Sequence, residues 1–265
     1  MPEGDTLWRT AAALRPRLVG KAVLRAEPAA IRRLGGRQVT GVDATGKHLM
    51  MRFEGGLSLH SHMRMNGAWH VYAPGQRWRR PAHTARAVLE FEDVIAVLFS
   101  APVVELVRDE QTRLGHLGPD ILAEDFEPAV AVGLARLSDR VELGDFLLDQ
   151  RVCAGIGNIY KCESMWIHRV NPWLPVASLT DDDLAAIYST ARRLMRESTA
   201  ARRFARRRAV HARSRRPCPR CGSPIEVRPQ GELGRLTYYC RRCQGGPDAT
   251  HPAAAAIAIR AEERT

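Results

Sequence analysis

The spacing of hydrophobic and polar positions divides the chain into a helical start, a β-rich middle and a second helical region. Leu7, Ala11 and Leu14 share one helix face, so the pattern predicts a helix from Pro2 to about Leu14, ended by Pro16. Between about residues 21 and 100, short apolar runs alternate with turn residues. Such a series of short strands predicts an antiparallel sandwich or barrel.

Individual strands can be placed in this middle region from runs of apolar and β-branched residues bounded by turn signals. The predicted strands are Lys47 to Phe53 and Leu57 to His62 around Gly55-Gly56, Ala68 to Tyr72, and Ala87 to Phe91 and Val94 to Phe99 around Glu92-Asp93. The first two form a predicted hairpin, because only a glycine-rich turn separates them.

A segment rich in glycine, Gly115 to Asp120, predicts a domain boundary before the second helical region. Thr180 and Asp183 have the spacing of a capping box, which predicts the start of a long helix. Shorter helical stretches are expected at Phe126 to Leu137 and Phe146 to Cys153. The fold class is therefore α+β, with domains at 1–115 (helix plus β-sandwich), 116–216 (helical, with a basic segment) and 217–244 (a four-cysteine unit), and a tail at 245–265.

Charge points to the class of partner. The 265 residues carry a net charge of +11 and 45% hydrophobic residues, which predicts a globular protein that binds a polyanion. Nucleic acid is the natural polyanion, and an anionic membrane surface is the alternative. The chain has no apolar run of about 18 residues and no signal-like start, so a cytoplasmic protein that does not span a membrane is expected.

The positive charge is concentrated in one window from Arg192 to Arg216. These 25 residues include eleven arginines and one histidine, with Glu197 as the single acid. Either a solvated face or a phosphate-facing segment explains such a window.

Four of the six cysteines have the spacing of a metal site. Cys218 and Cys221 form one C-x2-C pair, and Cys240 and Cys243 form the second after eighteen residues. Two such pairs complete a tetrahedral four-thiolate shell, which predicts one structural Zn²⁺ with no open position for catalysis. A redox dithiol pair is the alternative. Between the two pairs, the sequence predicts a strand of a β-hairpin finger from Gly234 to Tyr239.

A second local signal is the sequence Gly155-Ile156-Gly157-Asn158-Ile159-Tyr160. The glycines permit a tight turn whose backbone N–H groups can approach a phosphate, and Asn158 opens a helix where it can cap the backbone or bind phosphate. The flanking Cys153 and Cys162 are expected to be small buried hydrophobes.

The third signal is Met1-Pro2-Glu3. Removal of Met1 is expected to leave Pro2 as a free secondary amine, which can attack a sugar aldehyde and form an iminium. An α-amino group titrates about 2 to 3 pH units below lysine, so more of it is nucleophilic at neutral pH. Glu3 lies close enough to move protons at the same centre.

Together these motifs resemble the formamidopyrimidine-DNA glycosylase/endonuclease VIII family. The resemblance rests on Pro-Glu-Gly after Met1, Thr45-Gly46-Lys47, the Asn158 turn and the four-cysteine finger. It extends to about Gln244 and includes Leu98-Phe99-Ser100 and Leu117-Gly118-Pro119-Asp120.

The resemblance implies base-excision repair of oxidised bases with AP-lyase activity on double-stranded DNA. It implies Pro2 as the nucleophile, Glu3 and Lys47 as further catalytic residues, and a helix–two-turn–helix element at Asn158. It also implies that Arg235 of the finger binds phosphates and that it assists the second of the two eliminations (β, then δ) that cut the DNA strand. The flipped base must leave a gap in the stack. Arg64, Met65 and Asn66 match the position that fills this gap, and His116 matches a DNA contact.

Some positions depart from the family pattern and bear on the substrate. Asp5 and Thr6 replace a proline and an acid, and Asp5 is typical of a subgroup of the endonuclease VIII branch. Only 59 residues separate Asn158 from Cys218, which leaves little room for the long lesion-capping loop of the oxidised-purine branch. Oxidised pyrimidines are therefore expected as substrates, with formamidopyrimidine or 8-oxoguanine as the alternative.

Two non-enzymatic alternatives remain at this point. A zinc-ribbon protein could bind damaged DNA without cutting it, and an RNA-binding module would have the same charge. The set Pro2, Glu3 and Lys47 favours the enzyme, because a binding protein has no need of it. A monomer associated with the nucleoid is expected, with no catalytic metal or organic cofactor.

Overall fold

The computed structural model describes residues 2–137, 142–201 and 208–248. It divides into two compact units, residues 1–116 and 117–265, so the first unit ends one residue beyond the predicted first domain. Residues 202–207 of the basic window and residues 249–265 of the tail lie outside the described residues. In the described part, no helix has the length and apolar character needed to cross a bilayer.

The first unit contains α-helices and two antiparallel sheets, which confirms the predicted sandwich class. The elements are α1 (Gly4–Leu18), β1 (Arg25–Glu27), β2 (Val39–Thr45), β3 (His48–Phe53), β4 (Leu57–His62), β5 (Ala68–Tyr72), β6 (Ala85–Glu90), β7 (Ile95–Phe99), β8 (Val103–Val107) and α2 (Gln111–Leu114). One sheet has the strand order β1-β6-β7-β5 and the other β2-β3-β4-β8.

Helix α1 differs from its prediction at both ends. It begins at Gly4, and Glu3 is an extended N-cap with φ −114° and ψ −179°, so Pro2 and Glu3 precede the helix. It also continues through Pro16 to Leu18. In the last turn Pro16 forfeits only one backbone hydrogen bond, and burial of Leu14 and Leu18 in the core outweighs that loss.

The second unit is helical and ends in a hairpin. Its elements are α3 (Pro128–Arg136), α4 (Leu143–Phe146), α5 (Asn158–Ile167), α6 (Asp181–Ala200), β9 (Glu226–Gln230), β10 (Arg235–Tyr239) and α7 (Arg241–Gln244). The capping box of Thr180 and Asp183 at the start of α6 is confirmed. The strand predicted over Gly234 to Tyr239 is confirmed as β10, which pairs with β9 in antiparallel register.

The helix predicted over Phe146 to Cys153 is wrong. Helix α4 ends at Phe146, and the chain then turns instead of continuing as a helix. The carboxylate of Asp149 accepts hydrogen bonds from the backbone and the guanidinium of Arg151. Such local bonding by an aspartate competes with helical hydrogen bonds, which explains the early end.

Candidate active site and metal centre

Pro2 and Glu3 stand at the N-terminus of α1. The Glu3 carbonyl accepts hydrogen bonds from the amides of Thr6 (2.9 Å) and Leu7 (3.2 Å) and so opens the helix. The Glu3 side chain is only 1% exposed, which is unusual for a carboxylate on a helix N-cap. This buried carboxyl belongs to the residue that directly follows Pro2, the predicted nucleophile.

Lys47 lies in the turn between β2 and β3 and not on a strand, which corrects the sequence expectation. Thr45 pairs with His48, so Gly46 and Lys47 are the two loop residues of a hairpin. Gly46 has φ +56°, the left-handed value that the first loop residue of this turn needs. The turn therefore fixes where the lysine side chain leaves the sheet.

Contacts between α1 and β2 bring the two predicted catalytic positions to the same end of the first unit. The amide of Gly20 donates to the carbonyl of Val39, while the Arg15 guanidinium donates to the carbonyl of Val42. Helix and strand thus run in opposite directions. The start of α1 and the turn that follows β2 therefore lie at one end.

Four histidines cluster beside Lys47, which sequence reasoning missed. His48 Nδ1 lies 2.8 Å from His60 Nε2, and His60 Nδ1 lies 2.9 Å from Glu105 Oε1. The rings of His62 and His116 lie 5.0 and 6.1 Å from that of His48. The available signal was the alternation His60-Ser61-His62 in β4, a strand whose first five residues are buried.

Burial dominates the acid–base behaviour of this cluster. It lowers the pKa of His48 to about 3, helped by the charges of His62, His60, His116 and Lys47. Burial also lowers the pKa of His62 to about 4, with Arg64 as the next cause. His48 and His62 are therefore neutral at physiological pH and act as hydrogen-bonding groups.

The loop after β4 presents the predicted stack-filling residues. Arg64, Met65 and Asn66 form a turn, in which Arg64 has φ +47° and its amide donates to His62 Nδ1 at 3.1 Å. Met65 is 60% exposed. A large apolar side chain held outward on a turn is suited to insertion between apolar surfaces.

In the second unit, Asn158 is joined directly to the finger hairpin. It is the first residue of α5, and its Nδ2 donates a 2.7 Å hydrogen bond to the carbonyl of Leu236. Of the two roles that the sequence predicts for Asn158, the structure excludes the helix cap, because the side chain does not bond to the backbone of its own helix. Arg235 precedes Leu236 in β10, so the structure brings together the two DNA-binding positions predicted in this unit.

Two further polar residues of α5 support this arrangement and were not anticipated. Lys161 has no exposed surface, and its ammonium donates to Thr237 Oγ1 at 2.8 Å. The Glu163 carboxylate accepts hydrogen bonds from three consecutive amides, those of residues 209 to 211, at 2.8 to 3.0 Å. Helix α5 thus holds both the hairpin and the segment leading into the finger.

The basic window has a partly structural role. The guanidinium of Arg192 donates to the carbonyls of Ala123 and Phe126, and Arg193 pairs with Glu197 on the same helix. These arginines stabilise α6 and its neighbours. The sequence pattern alone does not distinguish them from arginines that face a polyanion.

The four finger cysteines have the geometry of a metal centre. Their Sγ atoms all lie within 4.8 Å of one another, with Cys221 3.4 Å from Cys240 and Cys218 4.0 Å from Cys243. A tetrahedral zinc–thiolate shell needs sulfur atoms about 3.8 Å apart, so the residues fit such an ion. Within the described ranges, this is the one group of cysteine, histidine or acidic residues arranged to hold a metal.

Comparisons with known proteins give a consistent result. Residues 1–102 match the family model for the formamidopyrimidine-DNA glycosylase N-terminal domain, and residues 117–207 match that for the formamidopyrimidine-DNA glycosylase H2TH domain. The probable endonuclease 8 2 of Streptomyces coelicolor is 43% identical, over 93% of this chain and 95% of its own length. The DNA-(apurinic or apyrimidinic site) lyase Nei2 of Mycolicibacterium smegmatis is 38% identical, over 92% and 99%.

Solved structures agree on the fold. The crystal structure of the MutM (Fpg) protein from Thermus thermophilus aligns with a TM-score of 0.78 at 30% identity, over 92% of this chain and 99% of that chain. Lactococcus lactis Fpg bound to DNA containing an AP site aligns with a TM-score of 0.79 at 21% identity, with the same coverage. The second likeness shows the fold alone.

Proposed function

Since the chain belongs to the formamidopyrimidine-DNA glycosylase/endonuclease VIII family, we propose that it excises oxidised bases through a covalent intermediate on Pro2. It is a DNA glycosylase with AP lyase activity that acts in base-excision repair. The observation that carries the mechanism is the arrangement at one end of the first unit: the Pro2-Glu3 start of α1 and the Lys47 turn.

The chemistry follows from these groups. The Pro2 nitrogen attacks C1′ of the damaged nucleotide, the base departs with the electrons of the glycosidic bond, and the proton lost from the proline nitrogen neutralises the base. Glu3 then protonates the sugar ring oxygen, the C1′–O4′ bond breaks, and the nitrogen lone pair forms the iminium with C1′. Loss of a proton from C2′ then forms the C2′–C3′ double bond and expels the 3′ phosphate, and a second elimination expels the 5′ phosphate. Lys47 provides positive charge near the phosphates and the base.

Oxidised pyrimidines are the proposed substrates, in preference to oxidised purines. The short span between Asn158 and Cys218 supports this choice, as does the higher identity to relatives named endonuclease 8 and Nei2 than to Thermus thermophilus Fpg. Cleavage of single-lesion duplexes with thymine glycol, 5-hydroxyuracil or 8-oxoguanine in one sequence context tests it. Faster removal of 8-oxoguanine would favour the purine alternative.

DNA binding is proposed to use both units. Arg64 and Met65 fill the gap left by the flipped nucleotide, with the left-handed backbone at Arg64 holding the turn in place. His116 is the further proposed contact of this unit. In the second unit, Arg235 and the N-terminus of α5 at Asn158 bind phosphates. The Cys218, Cys221, Cys240 and Cys243 site holds a structural Zn²⁺, which keeps β9 and β10 folded.

Borohydride trapping on a duplex with one abasic site tests the mechanism. The wild-type protein should give a covalent adduct that maps to the N-terminal peptide. Pro2→Gly should trap far less, whereas Pro74→Gly, at an exposed proline of the same unit, should trap like wild type. Absence of an adduct, or an adduct on an internal lysine, contradicts Pro2 as the nucleophile. Full binding without trapping or cleavage would favour the non-catalytic alternative.

A further inference from the structure

His48, His60 and Glu105 form a continuous hydrogen-bonded chain across strands β3, β4 and β8. His60 faces Glu105 in the register of β4 and β8, and its Nδ1 lies 2.9 Å from the carboxylate. The ring planes of His48 and His60 differ by only 16° with centroids 5.0 Å apart, so the 2.8 Å nitrogen contact joins the rings edge to edge. The geometry is that of an in-plane hydrogen bond and not of a ring stack.

The direction of the hydrogen bond between His60 and Glu105 follows from the charge of the carboxylate. Side-chain hydrogen bonds from Arg113, at 2.6 and 2.8 Å, lower the pKa of Glu105 to about 2, although burial opposes the shift. An ionised carboxylate can only accept, so His60 Nδ1 carries a proton. When His60 Nε2 accepts, His48 Nδ1 must donate. His48 Nε2 then carries no proton, and its lone pair can accept one.

The His48 end of this chain lies at the proposed active site. His48 directly follows Lys47, and the groups that face it are His62, His60, His116 and Lys47. Each of these groups lowers the pKa of His48, as burial does, so an imidazolium at His48 is strongly disfavoured. Glu105, at the other end, has a side chain that is 33% exposed and reaches solvent.

We propose that His48, His60 and Glu105 form a proton relay that carries the proton released during strand scission from the Lys47 end of the site to solvent. This inference rests on the proposed AP-lyase function. His48 Nε2 accepts the proton lost from C2′, while the C–H electron pair forms the C2′–C3′ double bond and the phosphate departs. The His48 Nδ1 proton passes to His60 Nε2, the His60 Nδ1 proton passes to Glu105, and Glu105 releases a proton to water.

The relay avoids the accumulation of positive charge at His48. A proton stored on His48 would create a cation among Lys47 and three other imidazoles. Passing the proton along the chain leaves both histidines neutral, with their tautomers exchanged, and places the charge change at Glu105 beside Arg113. In this arrangement His60 and Glu105 are positioning residues, and His48 is the member of the chain that adjoins Lys47.

Replacement of His60 by glutamine separates hydrogen bonding from proton transfer. A glutamine amide can donate to Glu105 and its carbonyl can accept from His48, but an amide does not relay a proton. We expect His60→Gln and Glu105→Gln to nick a preformed abasic site about tenfold or more slowly in single turnover, since positioned proton transfer contributes at least this much. Borohydride trapping should stay close to wild type, because iminium formation precedes the relayed step.

Two further measurements complete the test. The solvent deuterium isotope effect on nicking should shrink in His60→Gln, and free imidazole should partly restore nicking in His48→Ala. His83→Gln, at an exposed histidine of the same unit, is the matched control and should behave like wild type. Thermal melting of each variant checks folding.

The outcomes are distinguishable. Nicking at the wild-type rate in His60→Gln, with trapping intact, overturns the relay and leaves the proposed function standing. Equal losses of trapping and nicking in that variant also overturn the relay, because the defect then precedes elimination. Absence of trapping by the wild-type protein contradicts the proposed function itself.

Discussion

The ammonium of Lys161 donates a 2.8 Å hydrogen bond to the hydroxyl of Thr237, and both residues have no exposed surface. The Thr237 hydroxyl donates in turn to Gln230 Oε1 at 2.7 Å. One hydroxyl thus joins helix α5 to both strands of the finger hairpin. Burial of a cation is costly unless it is hydrogen-bonded, so this contact fixes how the hairpin lies on the helix.

Thr237→Val should therefore destabilise the second unit. Valine keeps the shape of threonine but removes a partner from the buried ammonium, at a cost of about 1–3 kcal/mol in the free energy of unfolding. Urea denaturation of the zinc-loaded protein measures this cost. Thr40→Val, at an exposed position of β2, is the control and should change stability little. Equal effects of the two substitutions would contradict a special role for Thr237.

Glu163→Gln should loosen the segment that leads into the finger. The carboxylate accepts three backbone amides, and a neutral amide oxygen is a weaker acceptor than a carboxylate. We expect faster hydrogen exchange at residues 209 to 211 and a loss of about 1–3 kcal/mol in the free energy of unfolding. Glu124→Gln, at an exposed acid of the same unit, should leave both unchanged. Unchanged hydrogen exchange at these amides in Glu163→Gln would show that the Glu163 carboxylate does not hold this segment in place.

Met65→Ala should reduce base excision from duplex DNA without affecting folding. Met65 is exposed, so its truncation should change the free energy of unfolding by less than about 0.5 kcal/mol. Filling of the stack is needed only in a duplex, so excision of the same lesion from a single strand should fall much less. Leu24→Ala, at another exposed apolar residue of this unit, is the control. Parallel losses on both substrates would contradict stack filling.

Removal of metal should unfold the finger and weaken DNA binding. The hairpin of β9 and β10 has few buried apolar residues around the four cysteines, so metal binding supplies much of its folding energy. Affinity for an abasic duplex, measured before and after chelation, should fall and recover when Zn²⁺ is restored. Thermal melting of the first unit should be insensitive to chelation. Unchanged affinity in fully metal-free protein would count against the finger's role.

The first unit should lose stability as the pH falls from about 6.5. The folded-state pKa of His48 is about 3 and that of His62 about 4, because burial disfavours the charged rings. The unfolded chain therefore takes up protons first, and stability present above pH 6.5 is lost progressively towards pH 3 to 4. Allowing for partial solvent screening, each ring contributes a slope of about 1 kcal/mol per pH unit.

Urea denaturation between pH 7 and pH 5 measures this slope. His48→Gln removes one of the histidines whose pKa burial lowers and should flatten the dependence, whereas His83→Gln, at an exposed histidine, should keep the wild-type slope. An unchanged slope in His48→Gln would show that His48 titrates alike in the folded and unfolded chains.

The fold class, the family and the four-cysteine cluster could all be predicted from the order of residues along the chain. Each depends on local order: a hairpin follows from Gly55-Gly56 between apolar runs, a capping box from Thr180 and Asp183, and a tetrathiolate site from two C-x2-C pairs. Helix boundaries were less well determined. The continuation of α1 through Pro16 depends on burial of Leu18, which sequence periodicity does not measure.

Contacts between polar groups that lie far apart in the sequence could not be predicted in this way, because they depend on how the elements pack. His60 meets Glu105 through the pairing of β4 with β8, and Asn158 meets the carbonyl of Leu236 through the packing of α5 on the hairpin, across 45 and 78 residues of chain. Such contacts produce no periodic pattern in the sequence. A polar residue at a buried position interrupts the apolar pattern, and the pattern does not identify the residue that it bonds to. Their strength comes from burial, where an unpaired polar group is costly and a paired one fixes the geometry.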